Sequence, residues 1–217
     1  MSYTQELTFG DIVSEVQRLR FSSQQTTSIQ HWVNDRYAAL WGADEWIFKY
    51  GKSNVTVTTG SNLVTDLPDD FGMALGMWRA DGYPLRWVAP RDFENLYQGS
   101  TDTGGPNFFT VINQVIMVGP SSNETSSSYL LLYEKRMTPL VADSDVPAIP
   151  TQCHYLLVVG ALYLGLMLYN DFTFQFVEQQ WQQGIAEMRQ EWLADQRGEV
   201  AQWGRDTVEA LPTSWGI

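Results

Sequence analysis

The chain has 217 residues, 44% of them hydrophobic and 18% charged, enough for one sizeable core or two smaller ones. The formal net charge is -12: residues 1–150 carry 10 basic and 17 acidic side chains, and residues 151–217 carry 3 and 8. No basic tract exists, which argues against a protein that grips DNA by its phosphates; one cysteine (Cys153) and two histidines (His31 and His154) exclude an intrachain disulfide and nearly exclude a zinc site of cysteines and histidines.

The opening MSYTQELTFGD has neither a basic nor an apolar stretch and does not read as a secretory signal. Residues 8–20 predict a helix. Thr8 can cap it, Asp11 sits at the third helical position as in a capping box, and Ile12, Val13, Val16 and Leu19 form its apolar stripe. A polar link over 21–27 precedes a second helix, about Thr27 to Trp41. It carries Ile29, Val33, Tyr37, Leu40 and Trp41 on one side, and Gly42 ends it.

The period then changes. WIFKY, NVTVTT and a segment around Leu63 predict short strands, and Pro68 with Asp69 and Asp70 predicts a turn. MALGMWRA and PLRWVA flank Asp81-Gly82 and predict a hairpin. Pro90 to Tyr97 predicts a short helix with proline near its start. After the loop GSTDTGGP, FFTVI and VIMVG flank Asn113-Gln114 and predict a second hairpin. PSSNETSSS reads as a loop. SYLLLYEKRM reads as a strand with Tyr129, Leu131 and Tyr133 on one face and Leu130 and Leu132 on the other.

TPLVADSDVPAIP, with three prolines, reads as a linker. Thr151 to Tyr169 is apolar nearly all round and predicts a central buried helix, with Gly160 and Gly165 suited to close helix packing. Its 17-residue apolar run is slightly short for a membrane span, so no membrane is expected. Phe172 to about Arg197 predicts an amphipathic helix marked by Phe176, Val177, Gln180, Trp181, Ile185, Met188 and Trp192. The tail, Gly198 to Ile217, holds the spaced apolar residues Trp203, Leu211, Trp215 and Ile217 and reads as a docking arm. The expected fold class is α+β, a helical bundle formed by the N- and C-terminal helices with an inserted antiparallel β-rich block. The expected division is 1–45 with 138–197 as the helical core, 46–137 as the insertion and 198–217 as the arm.

Catalytic chemistry finds little support. Asp69 and Asp70 are adjacent, so on an extended backbone they point to opposite faces. Arg86, Arg91 and Asp92 flank the short helix and suit salt bridging or capping. Cys153 and His154 diverge by about 100° around a helix axis, which favours packing over a thiol nucleophile pair. Gly104 to Pro106 lacks the Lys-Ser or Lys-Thr of a phosphate loop, and Asp143 to Asp145 lacks the spacing of a calcium loop. No cofactor, metal site or catalytic residue is expected.

In combination, several stretches resemble the head-to-tail adaptor (connector) proteins of tailed bacteriophages, in their longer form with a β-rich insertion. They are LPDDF at 67–71, YPLRWVAPRDFENLY at 83–97, TGGPNFFTVINQVIMVGP at 103–120, YLLLYEKRMTPL at 129–140 and DVPAIPTQCHYLLVVGALYLGLM at 145–167. They lie within residues 67–167, in an order of elements that resembles the family over most of residues 8–197. The final helix pair is richer in Gln and Trp than is usual there, and the tail after Gly198 carries no matched motif.

The resemblance implies a structural, non-enzymatic virion protein of the neck, assembled in the host cytoplasm. It implies a homo-oligomeric ring of twelve copies that binds the portal protein and offers a surface to tail or nozzle proteins. DNA would pass through its channel without specific binding, and a C-terminal segment would lie against the portal. The rival readings are a stopper or tail terminator, a cell-wall hydrolase using Asp69, Asp70 or Glu94, and a membrane-associated protein using 153–169. The nine Trp, ten Tyr and ten Phe suit extensive interfaces.

Overall fold

A computed structural model describes residues 6–58, 61–97, 103–122 and 126–193. The helices are α1 (Phe9–Leu19), α2 (Thr26–Gly42), α3 (Pro90–Tyr97), α4 (His154–Leu168) and α5 (Phe174–Trp192). The strands are β1 (Tyr50–Thr58), β2 (Phe71–Arg79), β3 (Pro84–Trp87), β4 (Thr103–Gly104), β5 (Phe108–Ile112), β6 (Val115–Gly119), β7 (Ser121–Ser122) and β8 (Ser126–Lys135). The described residues form two compact units, one from 6–48 with 137–193 and one within 49–136. The fold is α+β, with the sheet inserted between N-terminal and C-terminal helices.

The helical unit is organised by α4. Leu157, Val158 and Ala161 are fully buried, packed among apolar residues of α1, α2 and α5 such as Ile12, Val16, Ile29, Val33, Trp181 and Ile185. A helix surrounded on all sides must be apolar all round, as its sequence is. Burial ends at Leu166, however, and Met167, Leu168 and Tyr169 are exposed, so the expected central helix leaves the core in its last turn. By length and composition Thr151–Leu168 could cross a membrane, but here it is a core element. Close approach is set by glycine: a Cβ at Gly160 would lie 2.6 Å from the Trp181 ring, and one at Gly165 2.6 Å from Phe21.

The α1 start follows its sequence. The Asp11 amide donates to Thr8 Oγ1 (3.2 Å), and the Thr8 amide donates to Asp11 Oδ2 (3.0 Å), satisfying two orphan donors of the first turn. The Thr8 amide first, then the Thr8 hydroxyl (2.9 Å), donate to the Asp11 carboxyl and hold it below its usual range. WIFKY differs from the sequence reading. Trp46 is fully buried, its Nε1–H donates to Leu40 O (2.8 Å), Ile47–Lys49 is a 3-10 turn, and only Tyr50 begins a strand.

The second unit is a six-stranded sheet in the order β1-β8-β2-β3-β5-β6, with β4 and β7 as a separate pair. Two turns show why it folds locally. Gly82, at φ 84°, accepts the left-handed position of the Arg79–Tyr83 reversal, where the Gly82 amide donates to Arg79 O and the Arg79 amide to Tyr83 O. Asn113 and Gln114 have φ of 50° and 65°, the mirror-image turn that matches hairpin twist. On β8, Tyr129, Leu131 and Tyr133 are buried and Leu130 and Leu132 less so.

One neighbour pair, β3 with β5, is parallel, an exception within the otherwise antiparallel six-stranded sheet. The chain between β3 and β5 passes through α3, and a parallel pair requires such a crossover. The segment around Leu63 is not an independent strand. Val64 bridges Val57 of β1, Leu63 bridges Met117 of β6, the Val64 amide donates to Ile116 O and the Val118 amide to Asn62 O. The sheet therefore curls until residues 62–64 span its two outer strands, around a core of Val55, Val57, Phe71, Met77, Phe109, Ile116 and Leu131.

Candidate interaction surfaces

The acidic and thiol candidates are occupied by structural bonds or stand apart in solvent. Asp70 Oδ1 accepts from the Tyr133 hydroxyl (2.8 Å), and Asp70 Oδ2 lies 3.9 Å from Lys135 Nζ. Its backbone carbonyl accepts from the Arg136 amide, and the Asp69 carbonyl from Arg136 Nη2. The turn after Pro68 thus ties the start of β2 to the end of β8. Burial, then the neighbouring Asp70 carboxylate, pushes the Tyr133 hydroxyl up to about 12. Asp69 and Glu94 are exposed, and Arg86 lies over the Phe108 ring, 5.1 Å from its centroid.

Cys153 is buried, and burial, with Glu191 adding to it, pushes its thiol up to about 12, where it stays protonated. His154 is buried by a different logic. The Leu7 amide donates to its Nδ1 (3.0 Å); a backbone amide can only donate, so Nε2 carries the proton and donates to Ile149 O (3.1 Å). Among the described residues no three His, Cys, Asp or Glu side chains gather as metal ligands. Lys49 is buried, which removes it from a basic surface.

What the helical unit presents outward is a pair of apolar features. The first is the corner between α4 and α5. Met167, Leu168 and Tyr169 are exposed, and Phe172 and Phe176 are 86% and 76% exposed. The corner is held rigidly. Asn170 takes a left-handed φ of 53°, the Asp171 amide donates to Leu166 O, and the Thr173 amide and hydroxyl donate to Asp171 Oδ1 (3.0 and 2.7 Å). Arg20 Nη2 reaches Asp171 Oδ2 at 2.7 Å, Gln25 Nε2 donates to the Tyr169 hydroxyl, and the Phe21, Trp32 and Tyr169 rings pack together. The Thr173 amide first, then Arg20, lowers the Asp171 carboxyl to about 2.

By sequence Phe176 marks the same side of α5 as Val177, Trp181, Ile185, Met188 and Trp192, but the structure exposes it. At 100° per residue it falls about 140° from Trp181, whereas Val177, Ile185, Met188 and Trp192 all lie within about 40° of it. That angle was the missed signal.

The second feature is the segment 138–150. It read as a linker, but it is a strap bound along the helical unit. Asn34 makes two bonds with the Leu140 backbone (2.9 Å each), the Ala148 amide donates to the Tyr37 hydroxyl, and Leu140, Pro147 and Ile149 are buried. Asp145 Oδ2 accepts from the Val141 and Ala142 amides, which lowers its carboxyl. The Phe9 and Gly10 amides donate to Asp145 O and Asp143 O, and a Cβ on Gly10 would meet Asp143 at 3.0 Å. Outward, the strap shows Val141 (80% exposed), Ala142, Val146 and Ala148.

The β unit exposes Met73 and Leu75 on β2, Trp87 on β3, and Tyr83 between those strands. The expected arm residues Trp203, Leu211, Trp215 and Ile217 lie outside the described residues. A protein-family model described as SU10 adaptor protein matches residues 7–208, so the match runs past Gly198, where the sequence motifs had stopped. No curated protein matches the sequence.

Proposed function

Because the chain belongs to the SU10 adaptor protein family, a structural family of phage adaptor proteins, we propose that it is a neck protein forming a ring beneath the portal, extending the DNA channel and attaching the tail. The family match over residues 7–208 carries this reading. Residues 1–45 with 138–197 serve as the adaptor core, 46–137 as its β-rich insertion, and 198–217 as an arm that docks on the portal through Trp203, Leu211, Trp215 and Ile217; tail or nozzle proteins bind the ring. Twelve identical copies close the ring. The absence of any basic tract suits a conduit that DNA crosses without adhering. The chain acts by contact, with no catalytic role.

Deleting residues 203–217 tests the arm. The truncated chain is expected to keep its helical circular dichroism and to lose attachment to DNA-filled, portal-bearing heads. Attachment with unchanged affinity would transfer the portal contact to the helical or β unit.

A further inference from the structure

A ring of identical chains needs two different, mutually complementary patches on each copy, because its contacts are heterologous. Both occur on the helical unit, at opposite ends of α1. At one end the strap is bonded to Phe9 and Gly10, and at the other Arg20, the C-cap of α1, is bonded to Asp171 of the corner. The eleven residues of α1 separate the ends by about 16 Å.

The patches differ in shape and charge. At the corner Phe172, on the turn closed by Asp171, and Phe176, in the first turn of α5, stand largely in solvent, so the backbone that carries them is ordered before they are covered. The strap exposes small and β-branched side chains, Val141, Ala142, Val146 and Ala148, with Asp143 and Ser144 exposed between them. Around the strap, residues 6–12 and 138–150 contain Glu6, Asp11, Asp143 and Asp145 and no Lys or Arg. Beside the corner the Arg20 side chain is 58% exposed, and its fork has donors beyond the one that binds Asp171.

Resting on the ring reading above, we propose that the α4–α5 corner of one copy packs onto the strap of the next copy. Phe172 and Phe176 cover Val141 and Val146, and Arg20 faces Asp143. The occupant of the corner is thus a second copy of this chain, joined head to tail along the helical units.

Disulfide trapping in assembled particles tests this. Phe172→Cys and Val141→Cys both replace highly exposed side chains, and circular dichroism of each purified full-length chain checks that the fold is kept. Particles carrying both substitutions in one chain are expected to give, on mild oxidation, a ladder of covalent multimers that dithiothreitol collapses. Neither single variant, nor the parent chain with its buried Cys153, gives the ladder. No ladder from the double variant, in particles that hold many copies of the chain, overturns the proposal and leaves the ring reading standing. A discrete dimer from Phe172→Cys alone also overturns it, because the corner then meets its own kind. A single copy per particle removes the ring reading and this inference together.

Discussion

Truncating Leu157 to alanine should destabilise the helical unit far more than the same change at Leu164, although both lie on α4 and both read as core from sequence. Leu157 is fully buried, at the centre of the cluster that includes Ile12, Ile29 and Trp181, whereas Leu164 only packs against that cluster's margin and is half-buried. The side chain lost is worth about 0.8 kcal/mol per buried carbon group, or about 2.4 kcal/mol for three. At Leu157 a cavity cost adds to this, because α1, α2 and α5 close the site on all sides. The total should be about 3–5 kcal/mol, the upper part of the range for such truncations. At Leu164 part of the surface is already in water and no closed cavity forms, so about 1–2 kcal/mol is expected.

Urea unfolding followed by circular dichroism at 222 nm reads both. With two compact units the chain can unfold in two steps, so the transition that carries the helical signal is the one to fit. A loss below about 0.5 kcal/mol at Leu157, or a larger loss at Leu164 than at Leu157, would refute the placement of α4 at the centre.

Gly160→Ala gains helix propensity but drives a methyl into the Trp181 ring, so a net loss of about 1–3 kcal/mol is expected in the same unfolding assay; a stabilised variant would contradict the close α4–α5 approach. Asp171 has a folded pKa lowered to about 2, so its contribution to holding the corner is present above the ordinary carboxylate range and is lost as pH falls through about 2. Limited proteolysis should begin to cut near residues 169–173 as the pH falls from about 4 towards 2, and Asp171→Asn should be cut there already at neutral pH. With a net charge of -12, the purified chain should bind random duplex DNA more weakly than about 10⁻⁴ M at physiological salt, as read by fluorescence anisotropy; micromolar affinity would reveal a basic surface. Mass measurement on assembled particles should give many copies in a cyclic arrangement, and one copy would defeat the ring.

Where a local rule was sufficient, the sequence could be read directly. The Thr8–Asp11 box, Pro90 opening α3, the glycine at the β2–β3 reversal and the alternation of β8 each depend on residues within one element. The glycines of α4 were legible for a similar reason, since two glycines in an apolar helix leave room for a neighbour. Most departures depend on contacts outside the element in which the residue sits. Trp46 leaves the strand pattern because its indole caps Leu40 O within the helical core. The strap looks like a linker until Asn34 and Tyr37, more than 100 residues away, take up its backbone groups. The parallel β3–β5 pair is set by the crossover through α3, which no single strand encodes. Phe176 is the exception: its angle on α5, a local property of the sequence, sets it about 140° from Trp181 and away from the buried face.

The way the two units handle exposed bonding groups bears on how such a chain can associate. A sheet with open edges offers rows of unpaired amides and carbonyls and invites strand addition by any extended segment. Here residues 62–64 lie across β1 and β6, taking up Ile116 O and the Val118 amide, so the outer strands are partly covered. The strap does the same for the helical unit, where Asp143 O and Asp145 O satisfy the first amides of α1. These bonds take up part of the backbone's pairing capacity within each unit. Among the described residues the chain also offers side-chain surface: the corner with Phe172 and Phe176, the strap, and Met73, Leu75 and Trp87 of the β unit. Side-chain patches discriminate between partners by shape and charge, whereas open strand edges accept nearly any extended chain. The ring proposed above, in which each copy meets two neighbours and other proteins besides, would depend on that discrimination. The described residues supply a basis for it in separate, chemically different patches.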